Sequence, residues 1–162
     1  NSLYPNYEFD RWIIFLLAFL LPYSEKTAEA FLSIYAFDKK CKKIAQFHKT
    51  YHEQIQYNLS QKDIQRSKIY FELYKVPIEV LLFEMAFQKT PLVEKNIKIF
   101  IIELRNYKFD IPKELFEKHH IKGPIYSKLL KKIQEAILDD KIKNEAGEIE
   151  DYFLSAVKKF LS

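Results

Sequence analysis

The chain has 162 residues and a mass of 19.5 kDa, with 48% hydrophobic residues, 30% charged residues and a net charge of +4. That balance excludes both a disordered segment and a membrane protein. At about 100–200 residues per domain the chain makes one domain or one and a half, enough to bury roughly 70% of the surface its unfolded form exposes. It has only two glycines, where average usage of about 7% would give roughly 11. Glycine supplies the turns and close approaches of phosphate loops and tight hairpins. Its scarcity argues against a Rossmann fold, a P-loop protein or a hairpin-rich sandwich, and suits helices joined by short loops.

The longest apolar run, Trp12 to Leu21, has ten residues, against the about 20 that a membrane span needs. Glu8 and Asp10 precede it and no Ala-x-Ala pattern follows, so it reads as a first core helix and not a signal peptide. No membrane partner is expected. Asp10 is placed as the cap of this helix and Pro22 as its stop. Ser24 caps a short helix with Ala28, Phe31, Leu32 and Tyr35 on one stripe. Asp38 caps the next, with Cys41, Ile44, Ala45, His48, Tyr51 and Ile55 inward and the lysines opposite. Ser60 or Ser67 opens a helix carrying Ile69, Tyr70 and Leu73. Pro77 then starts a nearly all-apolar helix (IEVLLFEMAF) that reads as central and buried. Thr90-Pro91 is a start signal for a helix with Val93, Ile97, Phe100, Ile101 and Leu104, ending near Tyr107. Pro112 opens a short helix to about Lys118. Gly123-Pro124 opens a long one with Ile125, Leu129, Leu130, Ile133, Ala136 and Ile137 inward. Asn144 is placed as the cap of a last helix with a stripe of Ile149, Tyr152, Phe153, Ala156, Val157 and Phe160. No stretch alternates with period two. The expected fold is all-α, an irregular array of eight or nine helices. A soft boundary at 107–112 divides it into a body, residues 1–108, and a tail, residues 109–162.

The charge is uneven. Residues 39–52 hold five lysines and no acid, and residues 118–134 also hold five lysines and no acid. The remainder carries 16 basic residues against 22 acidic, a balance of −6. Two basic islands in a mildly acidic chain point to a local polyanion contact.

Assembled catalytic chemistry is missing from the sequence. His48 and His52 have the i, i+4 spacing of a zinc-protease helix, but Lys49 replaces the glutamate that follows the first histidine there, and its charge opposes a bound cation. No acidic or cysteine ligand is evident, so no metal is assigned and the pair reads as ordinary histidines near a basic face. His119-His120 is given a surface role near phosphate. Cys41, the single cysteine, excludes an internal disulfide and suits a reducing, cytoplasmic compartment. Flanking lysines would lower its thiol pKa, while its place on the apolar stripe favours an inert buried thiol. No His-Asp pair, glycine-rich phosphate loop, Gly-x-Ser-x-Gly or CxxC occurs, and the acids from Asp139 to Asp151 lack calcium-loop spacing.

Residues 121–144 (IKGPIYSKLLKKIQEAILDDKIKN) carry the most information. Gly123 permits an unusual turn and Pro124 presets the first helical turn. The positive end and free N–H groups of that helix are ringed by Lys122, Lys128, Lys131 and Lys132, with the hydroxyl and flat ring of Tyr126 close in sequence. On physical grounds a phosphate site and a plain helix start with solvated lysines stand equal.

This segment resembles the C-terminal tail of the class II tRNA nucleotidyltransferases (CCA-adding and A-adding enzymes) and related poly(A) polymerases, at Gly123, Pro124, Ile125, Leu129, Leu130, Ala136, Leu138, Asp139, Ile142 and Asn144. Upstream, Ser67 to Ala86 (SKIYFELYKVPIEVLLFEMA) is similar to the family's body region. Ser127 and Asp140 stand where family members often have glycine, and the usual lead-in to the tail appears here as Asp110-Ile-Pro-Lys-Glu-Leu115. The family's head carries a Gly-Ser motif and an Asp-x-Asp metal pair; here neither glycine precedes serine and no Asp-x-Asp occurs. The resemblance therefore implies body and tail without head and neck, and the start at Asn1 is read in the same way. It implies a non-catalytic fragment that holds the tRNA elbow while the head and neck of the parent use ATP or CTP and Mg²⁺. The residues expected to meet RNA are Lys122, Gly123, Tyr126, Lys128, Lys131 and Lys132, with Lys39, Lys40, Lys42 and Lys43 as a second surface. The alternative from the residues themselves is a helical protein-interaction module, followed by an autonomous enzyme using Cys41 or His48.

Overall fold

The computed structural model describes residues 9–161, and the side chains of residues 9–158. Among the described residues the fold is all-α, without a strand: α1 (Arg11–Leu20), α2 (Glu25–Ile34), α3 (Lys39–Leu59), α4 (Arg66–Leu73), α5 (Ile78–Ala86), α6 (Pro91–Ile99), α7 (Lys113–Lys118), α8 (Gly123–Leu138) and α9 (Ala146–Leu161). None of these is long and apolar enough to cross a membrane. Helix α6 runs on into a π turn over Phe100–Leu104, closed by Arg105 N donating to Phe100 O at 2.7 Å. The wider turn lets Phe100, Ile101 and Leu104 all face inward while Ile102 stays in solvent.

Two of the expected caps form. Thr27 N donates to Ser24 Oγ at 3.2 Å and Cys41 N to Asp38 Oδ1 at 2.7 Å, each cap contributing about 1 kcal/mol. Asp10 and Thr90 make no side-chain cap bond; Asp10 pairs with Lys40 instead, at 2.8 Å. Helix α4 begins at Arg66, so neither Ser60 nor Ser67 is its cap. Its acceptor arrives from the far end of the chain: Ser67 N and Oγ donate to Asp139 Oδ1 and Oδ2 at 2.9 and 3.0 Å. Asn144 does not cap α9 either. Its Oδ1 accepts from Asp110 N at 3.0 Å and its Nδ2 donates to Lys108 O at 2.9 Å, fastening the α7 lead-in to the α8–α9 corner.

Helix α5 is central, as its composition predicts, with Ile78, Val80, Leu81 and Phe83 buried and α1, α3 and α6 packed around it. The first hydrophobic cluster joins α1 to α6, the π turn and Leu138. A second is built from Leu115 and Phe116 of α7, Leu129, Ile133 and Ile137 of α8, and Ile149, Phe153 and Ala156 of α9. Tyr107 and Phe109 pack against both, and α4 lies on α8. Three stripe positions face outward against expectation: Tyr35, Tyr51 and Ile125 are exposed. Phe160 lies outside the described side chains.

Candidate functional site

The predicted RNA-facing residues lie at the start of α3 and along the first three turns of α8. Lys39, Lys40, Lys42 and Lys43 form the first turns of α3, and Lys122 is the residue before α8. Neither helix has an acid in its first turn, although the macrodipole favours acids there by about 0.3–1 kcal/mol each. Gly123 holds φ +63°, with nothing within 4 Å of where a Cβ would stand, so the left-handed backbone alone calls for glycine. Lys128, Lys131 and Lys132 are exposed and Tyr126 is half-buried.

The structure sorts these groups. Lys40 is bound to Asp10 at 2.8 Å and lies 3.4 Å from the buried Glu79, and the Asp10 bond chiefly holds its ammonium above the ordinary range. Lys131 pairs loosely with Glu135 at 3.8 Å and stacks over the Phe71 ring. The Tyr126 ring packs on Phe116, 4.5 Å between centroids, so its ring is committed to the second core. Among the described residues Lys39, Lys43, Lys122 and Lys128 enter no ion pair. Lys39, Lys40, Lys43 and Arg105 line an open cleft of about 640 Å³ in which Glu79 is the one carboxylate. The groove between α4 and α8, about 500 Å³, is electrically mixed: Lys68, Lys131 and Lys141 against Glu72, Glu135 and Asp139.

A second constellation lies in the interior. His48, His52 and Gln56 recur every four residues along α3 and meet Glu84 of α5. His52 Nδ1 donates to the Glu84 carboxylate at 2.8 and 2.9 Å, and Gln56 Nε2 donates to Glu84 Oε2 at 2.6 Å. Gln56 Oε1 accepts from Lys89 N at 3.0 Å, which fixes the amide's orientation. His48 Nε2 is 3.5 Å from Glu84 Oε1, and neither ring nitrogen of this fully buried histidine makes a hydrogen bond among the described residues. An unsatisfied buried polar group costs about 1–3 kcal/mol. Burial, with the His52 and Lys49 charges, pushes the His48 imidazole down to about 3.

The acidic partner of the histidines was not evident in the sequence because it comes from another helix, 32 residues beyond His52. The available signal was a pair of glutamates, Glu79 and Glu84, inside an otherwise apolar, buried helix. Lys49 makes its hydrogen bonds away from this cluster: its Nζ donates to the carbonyls of Leu20, Leu21 and Tyr23 at 3.3, 3.1 and 2.5 Å, closing the end of α1. The donor set of two imidazoles and one carboxylate does not fit the paired Mg²⁺ of nucleotidyl transfer, which takes oxygen ligands.

His119 is half-buried, its ring 5.3 Å from that of Phe153, so the surface role read for the pair falls to the exposed His120. Cys41 is fully buried, and burial, aided by Asp38 and Asp10, pushes its thiol up to about 11; Lys42 alone pulls the other way. Iodoacetamide at pH 8 should therefore label native Cys41 roughly 100-fold more slowly than the urea-unfolded chain. Equal rates, read by mass spectrometry, would contradict the burial.

Helix α1 turns an aromatic face outward. Trp12, Phe15 and Phe19 follow one side of α1, with Tyr23 just past its end, and Phe15 is 75% exposed; Ile34 of α2, 77% exposed, and Tyr35 after it lie beyond Phe31, which bridges to Phe19. Comparison with protein-family models, curated proteins and solved structures finds no match to this chain.

Proposed function

We propose that the chain is a non-catalytic RNA-holding module, the body and tail of a tRNA nucleotidyltransferase or poly(A) polymerase family protein, which grips the tRNA elbow while separate head and neck domains add nucleotides with ATP or CTP and Mg²⁺. The observation that carries this reading is the placement of Lys39, Lys40, Lys42 and Lys43 in the first turns of α3 and of Lys122 just before α8, where they work against the helices' own stability and suit a bound polyanion. The open, largely basic cleft beside Lys39 and Lys43 adds to it. Two local features support the family reading. Asp140, at a position where the family often has glycine, holds φ +55°, the left-handed backbone glycine adopts readily. Asn144, another matching position, clamps the α8–α9 corner. Recognition of this kind combines shape reading with phosphate neutralisation.

Titration with tRNA at low and moderate salt tests the reading. Binding should weaken by about 0.7–0.9 log units per log salt for each phosphate neutralised. Lys128→Glu, Lys131→Glu and Lys132→Glu together should abolish it at moderate salt. No binding at low salt, or no response to the triple charge reversal, rejects the proposal.

The exposed aromatic face of α1 and α2 favours a second reading, a protein-docking module, since apolar patches of this kind mark interaction surfaces. The same titration separates the two. Under the second reading tRNA does not bind, and Phe15→Asp with Ile34→Asp changes the assembly state seen by light scattering.

A further inference from the structure

We propose that His48, His52 and Glu84 bind one divalent transition-metal ion of the zinc class, clasping α3 to α5. Their ligand atoms, two imidazole nitrogens and a carboxylate oxygen, lie within 4.8 Å of one another. A tetrahedral ion with bonds of about 2.0–2.1 Å sets its ligands about 3.3 Å apart. The His48 Nε2 to Glu84 Oε1 spacing is 3.5 Å, and that from His52 Nδ1 is 2.8 Å. The second pair has to open by about half an ångström as the ion replaces the shared proton, which leaves to solvent.

Four features favour an ion over a plain buried hydrogen-bonded pair. Mixed nitrogen and oxygen donors suit zinc and its neighbours, whereas Mg²⁺ and Ca²⁺ prefer all-oxygen shells. His48 is fully buried and makes no hydrogen bond among the described residues although Nε2 lies 3.5 Å from the carboxylate; a hydrogen-bonded His52–Glu84 pair leaves it unexplained, and an ion satisfies it. Gln56 holds Glu84 Oε2 from behind at 2.6 Å and is itself oriented by Lys89 N, the kind of outer support that aims metal-binding carboxylates. Finally, the one lysine beside the histidines in sequence is tied to the end of α1. The His52 side chain, 14% exposed, provides the route by which an ion and a water ligand arrive. The inference is independent of the RNA reading, because the ion joins α3 to α5 through His48, His52 and Glu84, none of which is among the residues expected to meet RNA.

The experiment uses the full chain after chelator treatment, titrated with Zn²⁺ by calorimetry and with Co²⁺ by visible absorption. The expected result is one ion per chain, tetrahedral Co²⁺ bands and a higher unfolding temperature. His52→Gln, at the partly exposed ligand, should abolish stoichiometric binding while the chain stays folded by circular dichroism. Gln56→Ala, which keeps all three ligands, should weaken binding about 10–100-fold. Absence of stoichiometric binding by the folded wild type overturns the proposal. So does unchanged affinity in His52→Gln, which would locate the ion elsewhere, or binding of Mg²⁺ in preference to Zn²⁺.

Discussion

Glu84→Ala should lower the unfolding free energy by about 3–5 kcal/mol, the range for removing one member of a buried charged or hydrogen-bonded pair. For a chain of this size that corresponds to a fall in Tm on the order of 10 °C. The loss has three sources. His52 Nδ1 loses its acceptor, Gln56 Nε2 loses the shorter of its two bonds to residue 84, and a cavity opens beside His48. Glu84→Gln keeps the volume and one acceptor oxygen, so its cost should be smaller, about 1–3 kcal/mol. Both are measured by urea denaturation with chelator present, which isolates the hydrogen-bond network from any bound ion. A loss below about 1 kcal/mol for the alanine variant, the scale of a surface substitution, would show that the network contributes little.

Phe153→Ala should remove about 3–5 kcal/mol and remove it unevenly. Among the described residues the tail cluster has eight buried residues against 24 in the body cluster. Phe153 is at its middle, edge-on to Phe116 with 5.1 Å between centroids and in contact with His119. A core this small loses cooperativity when one of its two buried phenylalanines goes. Hydrogen exchange should then show α7 and α9 unprotected while α1, α3 and α5 keep most of their protection. Simultaneous loss of protection in all helices would mean that body and tail form one cooperative unit, contrary to a boundary at 107–112.

The helical plan was legible because its signals are local. Ser24 and Asp38 lie one residue outside apolar stripes and have side chains short enough to reach the first free N–H groups. Pro112, Gly123 and Pro124 also constrain the backbone within a residue or two of themselves. The readings that failed concern groups whose best partner is distant. Asp10 found Lys40, Asn144 found the 108–110 backbone and Ser67 found Asp139, because a short polar side chain takes the strongest bond that packing offers. The π turn has no local sequence mark, because Val93, Ile97, Phe100, Ile101 and Leu104 also fit the spacing of a regular α-helical stripe. Lysine exposure at α8 followed from helical spacing, whereas the engagement of Lys40 by Asp10 and Glu79 required three separate elements to meet. The His48–His52–Glu84 cluster was half legible for the same reason: α3 supplies the i, i+4 pair, and only the packing of α5 on α3 delivers the acid.

The bond from Asp139 to the start of α4 spans 72 residues of sequence. During synthesis at about 5–20 residues per second, roughly 4–14 s separate the two partners. Over that interval α4 exists without its acceptor, and its first turn stays frayed while the helices around α5 collapse. Emergence of the α8–α9 corner then locks α4 in place and seats α8 against it. The α8–α9 corner therefore acts as a completion signal for α4: a nascent chain truncated before residue 139 lacks the acceptor of Ser67 and should carry a loosened α4, with Tyr70 and Phe71 more open to chaperones.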